Sequence, residues 1–150
     1  MEYDAAKRWP GLHKRLTSAS SRALPVSFPR LPDVTPKLPA ASLSELEHGA
    51  HTSLGPTLAA ATRAIEVVIR PERVYCALFA EETRSIHFHL FPRTAWLLSQ
   101  YGTVHPADRE ISGPRLLDWA RRTFHRPIST DYTETVEAIF RELDLAVSER

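Results

Sequence analysis

The 150-residue chain is poor in cysteine, methionine and glycine, with one, one and five of these residues. Its single cysteine, Cys76, excludes an intrachain disulfide and a zinc site built from several cysteines. Because Cys76 lies in an apolar run typical of a strand, we expect its thiol to be buried. A chain without disulfides suits a reducing compartment, so a cytoplasmic location is predicted.

Long hydrophobic runs and an excess of one charge are also missing. No apolar run approaches the ~20 residues that a transmembrane helix needs, and we expect neither a membrane span nor a secretory signal. The formal net charge is only +1, so composition gives no clear reason to expect a nucleic-acid partner. The hydrophobic share of 43% is ordinary for a globular domain with a real core.

Prolines and basic residues are concentrated near the N-terminus. Five of the 12 prolines fall between Pro25 and Pro39, and proline removes a backbone donor and restricts its neighbour. We therefore predict that residues 1–40 form a largely disordered arm, with at most a short edge strand at 23–28. Residues 41–150 are predicted to form the folded domain with C-terminal helices.

The spacing of apolar and capping residues predicts the elements of this domain. Ser42 and Glu45 have capping-box spacing, and Pro56 fits the first turn of a separate helix. Residues 93–100 are expected to form a loop or one helical turn, with Trp96 packed inward. The predicted helices are 42–50, 55–70, 112–124 and 131–147, and the predicted strands, joined as a hairpin, are 74–80 and 85–93.

The second of these strands carries the residues that indicate chemistry. Side chains alternate between the two faces of a strand, so Ser85, His87 and His89 share one face while the intervening residues are apolar. Neutral imidazole is a nucleophile, a proton carrier and a metal ligand. Two such groups, roughly 6.5–7 Å apart along a strand, suit one ring attacking a phosphate while the next contacts its oxygens.

Two other interpretations of the histidines remain open. They are compatible with two partly exposed strand residues without a role. A His-X-His pair also supplies two zinc ligands, but a third ligand is then required, from His48, His51, His105 or a glutamate, and none of these has a telling spacing. No metal site is predicted.

Residues 86–93, Ile-His-Phe-His-Leu-Phe-Pro-Arg, resemble the signature strand of the histidine triad family of nucleotide hydrolases and transferases. In that signature, three histidines alternate with single apolar residues. His87 falls on the second histidine and His89 on the third, while Ser85 occupies the first position. The similarity extends over about residues 34–93, although Pro39 stands where family members commonly have a further histidine.

The resemblance implies an α+β fold with a small antiparallel sheet and packed helices. It also implies that His87 forms a covalent phosphohistidine-type intermediate, with its second ring nitrogen held by the backbone carbonyl of Ser85. His89 would bind phosphate and stabilise developing charge. Ser85, in the position of the first histidine, completes the candidate catalytic set.

The resemblance further implies a nucleotide as the small-molecule partner, a homodimer, and no cofactor. Arg93, Arg84 and Thr83 are the candidate ligand-binding residues at the two ends of the strand. Ser85 in place of an imidazole and the two carboxylates Glu81 and Glu82 favour an alternative function. In that alternative the chain is a non-catalytic nucleotide-binding or dimerisation module.

Overall fold

A computed structural model describes residues 12–15, 33–78, 84–124 and 130–148. The strands are β1 (Leu12–Arg15), β2 (Asp33–Pro36), β3 (Arg73–Leu78) and β4 (Phe88–Arg93). The helices are α1 (His48–Ile69), α2 (Ala95–Val104), α3 (Gly113–Thr123) and α4 (Thr130–Ser148), with one 3₁₀ turn at Leu43–Glu45. This confirms the predicted α+β class. No helix among the described residues has both the length and the apolar character needed to cross a bilayer.

The strands form one antiparallel sheet in the order β1-β2-β4-β3. The predicted hairpin is confirmed, since Tyr75 pairs with Phe91 and Ala77 pairs with His89. Strand β4, which carries His89, therefore lies inside the sheet between β2 and β3, while β3 is the last strand in this order. An inner strand is held on both sides, and this fixes the direction of its side chains.

One face of the sheet packs on α1, and α4 packs on α1, to form the main core. Ile86 and Leu90 point into this core, and both are buried. Alternation along β4 therefore sends His87 and His89 to the opposite face. The other large buried side chains of this core are Val34, Ile65, Ile139 and Leu143.

The opposite face of the sheet is covered at one end by α2 and α3. Phe91, two residues beyond His89, packs with Leu97, Tyr101 and Leu116 in a second core cluster. Helix α3 begins where the sequence predicted, because the Ser112 hydroxyl accepts from the Arg115 amide. Helices α2 and α3 thus form a wall beside the histidines.

The break predicted between residues 50 and 55 is wrong, because α1 is continuous for 22 residues and contains Pro56. Proline inside a helix removes one backbone bond, at a cost of about 3 kcal/mol. Packing along the length of α1 offsets this cost, since the helix contributes Ala50, Ala61 and Ile65 to the core on both sides of Pro56. The predicted capping box is also only partial, because Glu45 accepts from the Ala41 amide and Ser42 makes no capping bond.

The structure describes two strands within residues 1–40, which were predicted to form a mostly disordered arm. Residues 12–15 and 33–36 are β1 and β2, paired with each other, and Val34 of β2 pairs with Phe88 of β4. The predicted edge strand at 23–28 and the rest of the arm lie outside the described residues. A domain boundary at residue 41 remains a prediction, although β2 belongs to the same sheet as β4.

Two predictions of inward packing are also wrong. Residues 95–104 form a helix capped by Thr94, which turns Leu97 inward and leaves Trp96 36% exposed. Cys76 is exposed as well. Its thiol was predicted to be buried, but β3 is the last strand in the sheet order, where fewer neighbours cover its side chains.

Replacing Gly113 and Gly102 by alanine should have opposite effects on the stability of the fold. A Cβ on Gly113 would lie 2.7 Å from the Tyr75 ring, whereas a Cβ on Gly102 of α2 would meet nothing within 4 Å. We expect Gly113→Ala to destabilise the fold by about 1–3 kcal/mol through overpacking. The control Gly102→Ala should stabilise it by up to about 1 kcal/mol, since alanine favours helix. Urea titrations of both variants measure the difference, and an equal response would contradict the close approach at Gly113.

Candidate functional site

His87 is held through its Nδ1 atom by its own backbone. The ring nitrogen lies 3.2 Å from the carbonyl oxygen of Ser85. This is the contact that the resemblance to the signature strand implied. A carbonyl oxygen only accepts hydrogen bonds, so Nδ1 carries the proton in this arrangement. In the neutral ring the lone pair then resides on Nε2, which is the nitrogen suited to attack.

His89 is held in a different way, by a carboxylate. Its Nδ1 lies 3.0 Å from Oδ1 of Asp33 on β2. One step from the Val34–Phe88 pair in the same antiparallel register sets Asp33 opposite His89. The side chains are 26% and 12% exposed, respectively. A carboxylate in this position orients the ring and balances the positive charge of an imidazole protonated on both nitrogens.

The two rings are in contact and nearly perpendicular. Their centroids are 4.5 Å apart and the planes meet at 81°. On the other side of His89 the cross-strand neighbour is Ala77. The structure thus brings together two half-buried imidazoles with different Nδ1 partners, which is an arrangement suited to one nucleophile and one charged donor.

Ser85 lies beside His87 and contributes backbone as well as side chain. Its carbonyl accepts from His87, and its hydroxyl accepts from the Ala40 amide at 3.4 Å. The next residue, Ile86, donates from its amide to the Ala40 carbonyl at 2.8 Å. These contacts attach the segment before β4 to residue 40, so that the carbonyl that orients His87 is itself fixed.

Not all of the candidate ligand-binding residues lie close to His87 and His89. Arg93 lies four residues along β4 from His89, about 13 Å away, and donates to the Tyr75 hydroxyl at 3.0 Å and the Ile111 carbonyl at 3.1 Å. The bond to Tyr75 raises the pKa of Arg93, so the guanidinium is a fixed charge that joins β3 to the start of α3. Arg84 is exposed next to Ser85, and Thr83 lies outside the described residues.

The histidines considered as a third metal ligand lie elsewhere. His48 and His51 are exposed on the first turn of α1. His105 follows α2, and its ring contacts Tyr101 with the centroids 4.4 Å apart. Within the described part of the chain, no three side chains of histidine, cysteine, aspartate or glutamate form a group that could hold a metal ion.

Asp33 is the site residue that sequence reasoning missed. It stands in a proline-rich stretch, and its four-residue strand is recognisable only through pairing with β4. One local signal was present, since an aspartate next to Val34 is unusual in a strand. Its partner is 56 positions away in sequence, so the contact depends on the sheet register.

The fold of this chain is similar to that of solved structures. No family model and no curated protein matches the sequence. Among solved structures, a histidine triad protein from Bradyrhizobium japonicum is 14% identical with a TM-score of 0.59, over 89% of this chain and 99% of the other. A Hit-like protein from Bartonella henselae, involved in cell-cycle regulation, is 16% identical with a TM-score of 0.43, over 79% and 74%. At such low identity the first comparison establishes the architecture, and the fold of this chain is histidine-triad-like.

Proposed function

We propose that this chain is a nucleotide phosphate hydrolase or nucleotidyl transferase in which His87 is the nucleophile. The observation that carries the proposal is the bond between His87 Nδ1 and the Ser85 carbonyl. It directs the lone pair of the ring to Nε2 on a strand face where a second imidazole is 4.5 Å away. A nucleophile with a fixed tautomer next to a charge-stabilising group is the minimum for covalent catalysis at phosphorus.

In the proposed reaction His87 Nε2 attacks the α-phosphorus of a nucleotide, and the bond from phosphorus to the leaving group breaks. The leaving group departs with a proton, and the nucleotidyl group remains on His87. Water then attacks phosphorus, the P–N bond breaks, and the nucleoside monophosphate and the original ring are recovered. If another acceptor replaces water, the same intermediate makes the protein a transferase.

The experiment compares wild-type protein with His87→Ala on adenosine 5′-phosphoramidate and a dinucleoside polyphosphate. We expect measurable wild-type turnover of one of these substrates, and a loss of about a thousandfold or more in the variant, as is usual when a nucleophile is removed. Identical background rates for the two proteins would contradict an enzymatic function. The control His51→Ala changes an exposed histidine of α1 and should retain wild-type turnover.

A non-catalytic nucleotide-binding module is the second candidate. It is favoured by Ser85, which occupies a position where the signature has an imidazole. This candidate predicts stabilisation by adenosine monophosphate, about 2.7 kcal/mol at a hundred times its Kd, with no turnover. A homodimer, a nucleotide as the partner and a cytoplasmic location remain predictions of the proposed function.

A further inference from the structure

Asp33 is placed where a carboxylate is costly. Of the charged residues that the structure describes, only Asp33 is buried, at 9% exposure. Removing a carboxylate from water without compensation costs several kcal/mol. Aspartate is also a poor strand former, so neither strand propensity nor core packing explains its position.

The compensation comes from His89. The carboxylate oxygen is 3.0 Å from Nδ1, and Val34, the next residue of β2, points to the core on the opposite face. The alternation of β2 therefore directs Asp33 to the face of the sheet that carries the histidines. A buried acid that is bonded to one of two candidate catalytic rings is better explained by the chemistry of that ring than by stability.

We propose that Asp33 is the positioning residue of His89, and that it makes this ring the proton donor to the leaving group. The inference rests on the proposed function of His87. Asp33 holds the proton on Nδ1, so that Nε2 faces the phosphate. In the proposed role the ring enters the reaction with a proton on each nitrogen, and the Asp33 carboxylate opposes the positive charge.

The two rings thereby acquire separate roles. His87 is held by a neutral carbonyl, and a second positive charge 4.5 Å from His89 is unfavourable. His87, with its Nδ1 on the Ser85 carbonyl, therefore takes the role of nucleophile. As the phosphorus bond to the leaving group breaks, the proton on His89 Nε2 moves to the leaving atom. In the second step the attacking water returns a proton to His89, so protons balance over the cycle.

A pair of substrates with different leaving groups tests this role. One is an adenosine 5′-(alkylphosphoramidate), whose amine must be protonated to leave, and the other is adenosine 5′-(4-nitrophenyl phosphate), whose phenolate leaves without a proton. We expect Asp33→Asn to lower kcat about 100-fold for the first and only a few-fold for the second, with similar changes of KM. Equal losses of kcat on both substrates would indicate a merely structural role and overturn the proposal.

The control variant is Asp108→Asn, which removes a carboxylate that accepts from Tyr101 in the second core cluster. Any change of kcat in this variant should be the same for the two substrates. The double variant Asp33→Asn/His89→Ala adds a test of coupling. If Asp33 acts through His89, the double variant is no slower on the phosphoramidate than His89→Ala alone. Additive losses would contradict the proposed coupling.

NMR of the ring nitrogens in the wild-type protein tests the same contact. It requires neither measurable turnover nor a correctly folded variant. We expect the His89 ring to carry a proton on Nδ1, and the neutral form in Asp33→Asn to favour the proton on Nε2. A wild-type His89 ring without a proton on Nδ1 overturns the inference, whatever the activity. If the wild-type protein turns over neither substrate but has this proton, the proposed function fails and the Asp33–His89 arrangement stands.

Discussion

Wild-type protein that is quenched in alkali soon after mixing with a nucleoside phosphoramidate should carry a nucleotidyl group on His87. The lone pair of this ring lies on Nε2 because Nδ1 is bonded to the Ser85 carbonyl, so the new bond should form at Nε2. Mass spectrometry of the digested protein locates the group, which is lost in acid, as expected of a P–N bond. His87→Asn should carry none of it, and this all-or-none change is the largest effect we expect.

The control variant for the adduct is His105→Asn, which changes an exposed histidine at the end of α2 that contacts Tyr101. It should form the adduct at the wild-type level. Stereochemistry gives an independent check, because two successive displacements at phosphorus restore the original configuration. Inversion in the hydrolysis product, or an adduct on His89 in place of His87, would exclude His87 as the nucleophile.

Replacing Leu90 by alanine should cause the largest loss of stability. Leu90 lies between His89 and Phe91 on β4, but its side chain points into the main core and is only 2% exposed. Leu→Ala at such sites costs about 2–5 kcal/mol, because buried apolar atoms are removed and a cavity is left in the core. The free energy of unfolding of a typical domain is about 5–15 kcal/mol, so this substitution should remove a large fraction of it. At about 2–4 °C per kcal/mol, we expect Tm to fall by roughly 4–20 °C.

The matched control is Leu145→Ala on α4, where the same side chain is 59% exposed. A surface substitution of this kind changes stability by about 0.5 kcal/mol or less. Thermal unfolding followed by circular dichroism measures both variants. If the two leucines give equal shifts of Tm, the placement of Leu90 in the core between the sheet and α1 is wrong.

The parts of the fold that the sequence predicted are those encoded by local patterns. Alternation along β3 and β4 indicated the hairpin that they form. A serine cap followed by Gly113 and Pro114 indicated α3, and helical spacing indicated α4, whose Ile139 and Leu143 are buried. The side of the strand occupied by His87 and His89 followed from the same alternation, whereas the use of the Ser85 carbonyl followed from the resemblance to the histidine triad signature.

The parts that were missed depend on contacts between distant residues. Strands β1 and β2 have four residues each and carry no strong strand pattern, so their pairing in the sheet decides their structure. The continuity of α1 through Pro56 depends on packing that outweighs a local penalty. The bond between Asp33 and His89 depends on both the pairing and the register of β2 with β4.

The wall formed by α2 and α3 limits the shape of any molecule that lies across the two rings. Phe91 and its cluster occupy the same face of the sheet one residue pair beyond His89, about 7 Å along β4. A bound molecule therefore meets a closed side at Phe91, and any longer portion of it has to extend past His87 toward Ser85 and Arg84. A ligand bound as proposed would therefore have only the His87 end of this strand open to it, and the two ends of an elongated ligand would not be equivalent.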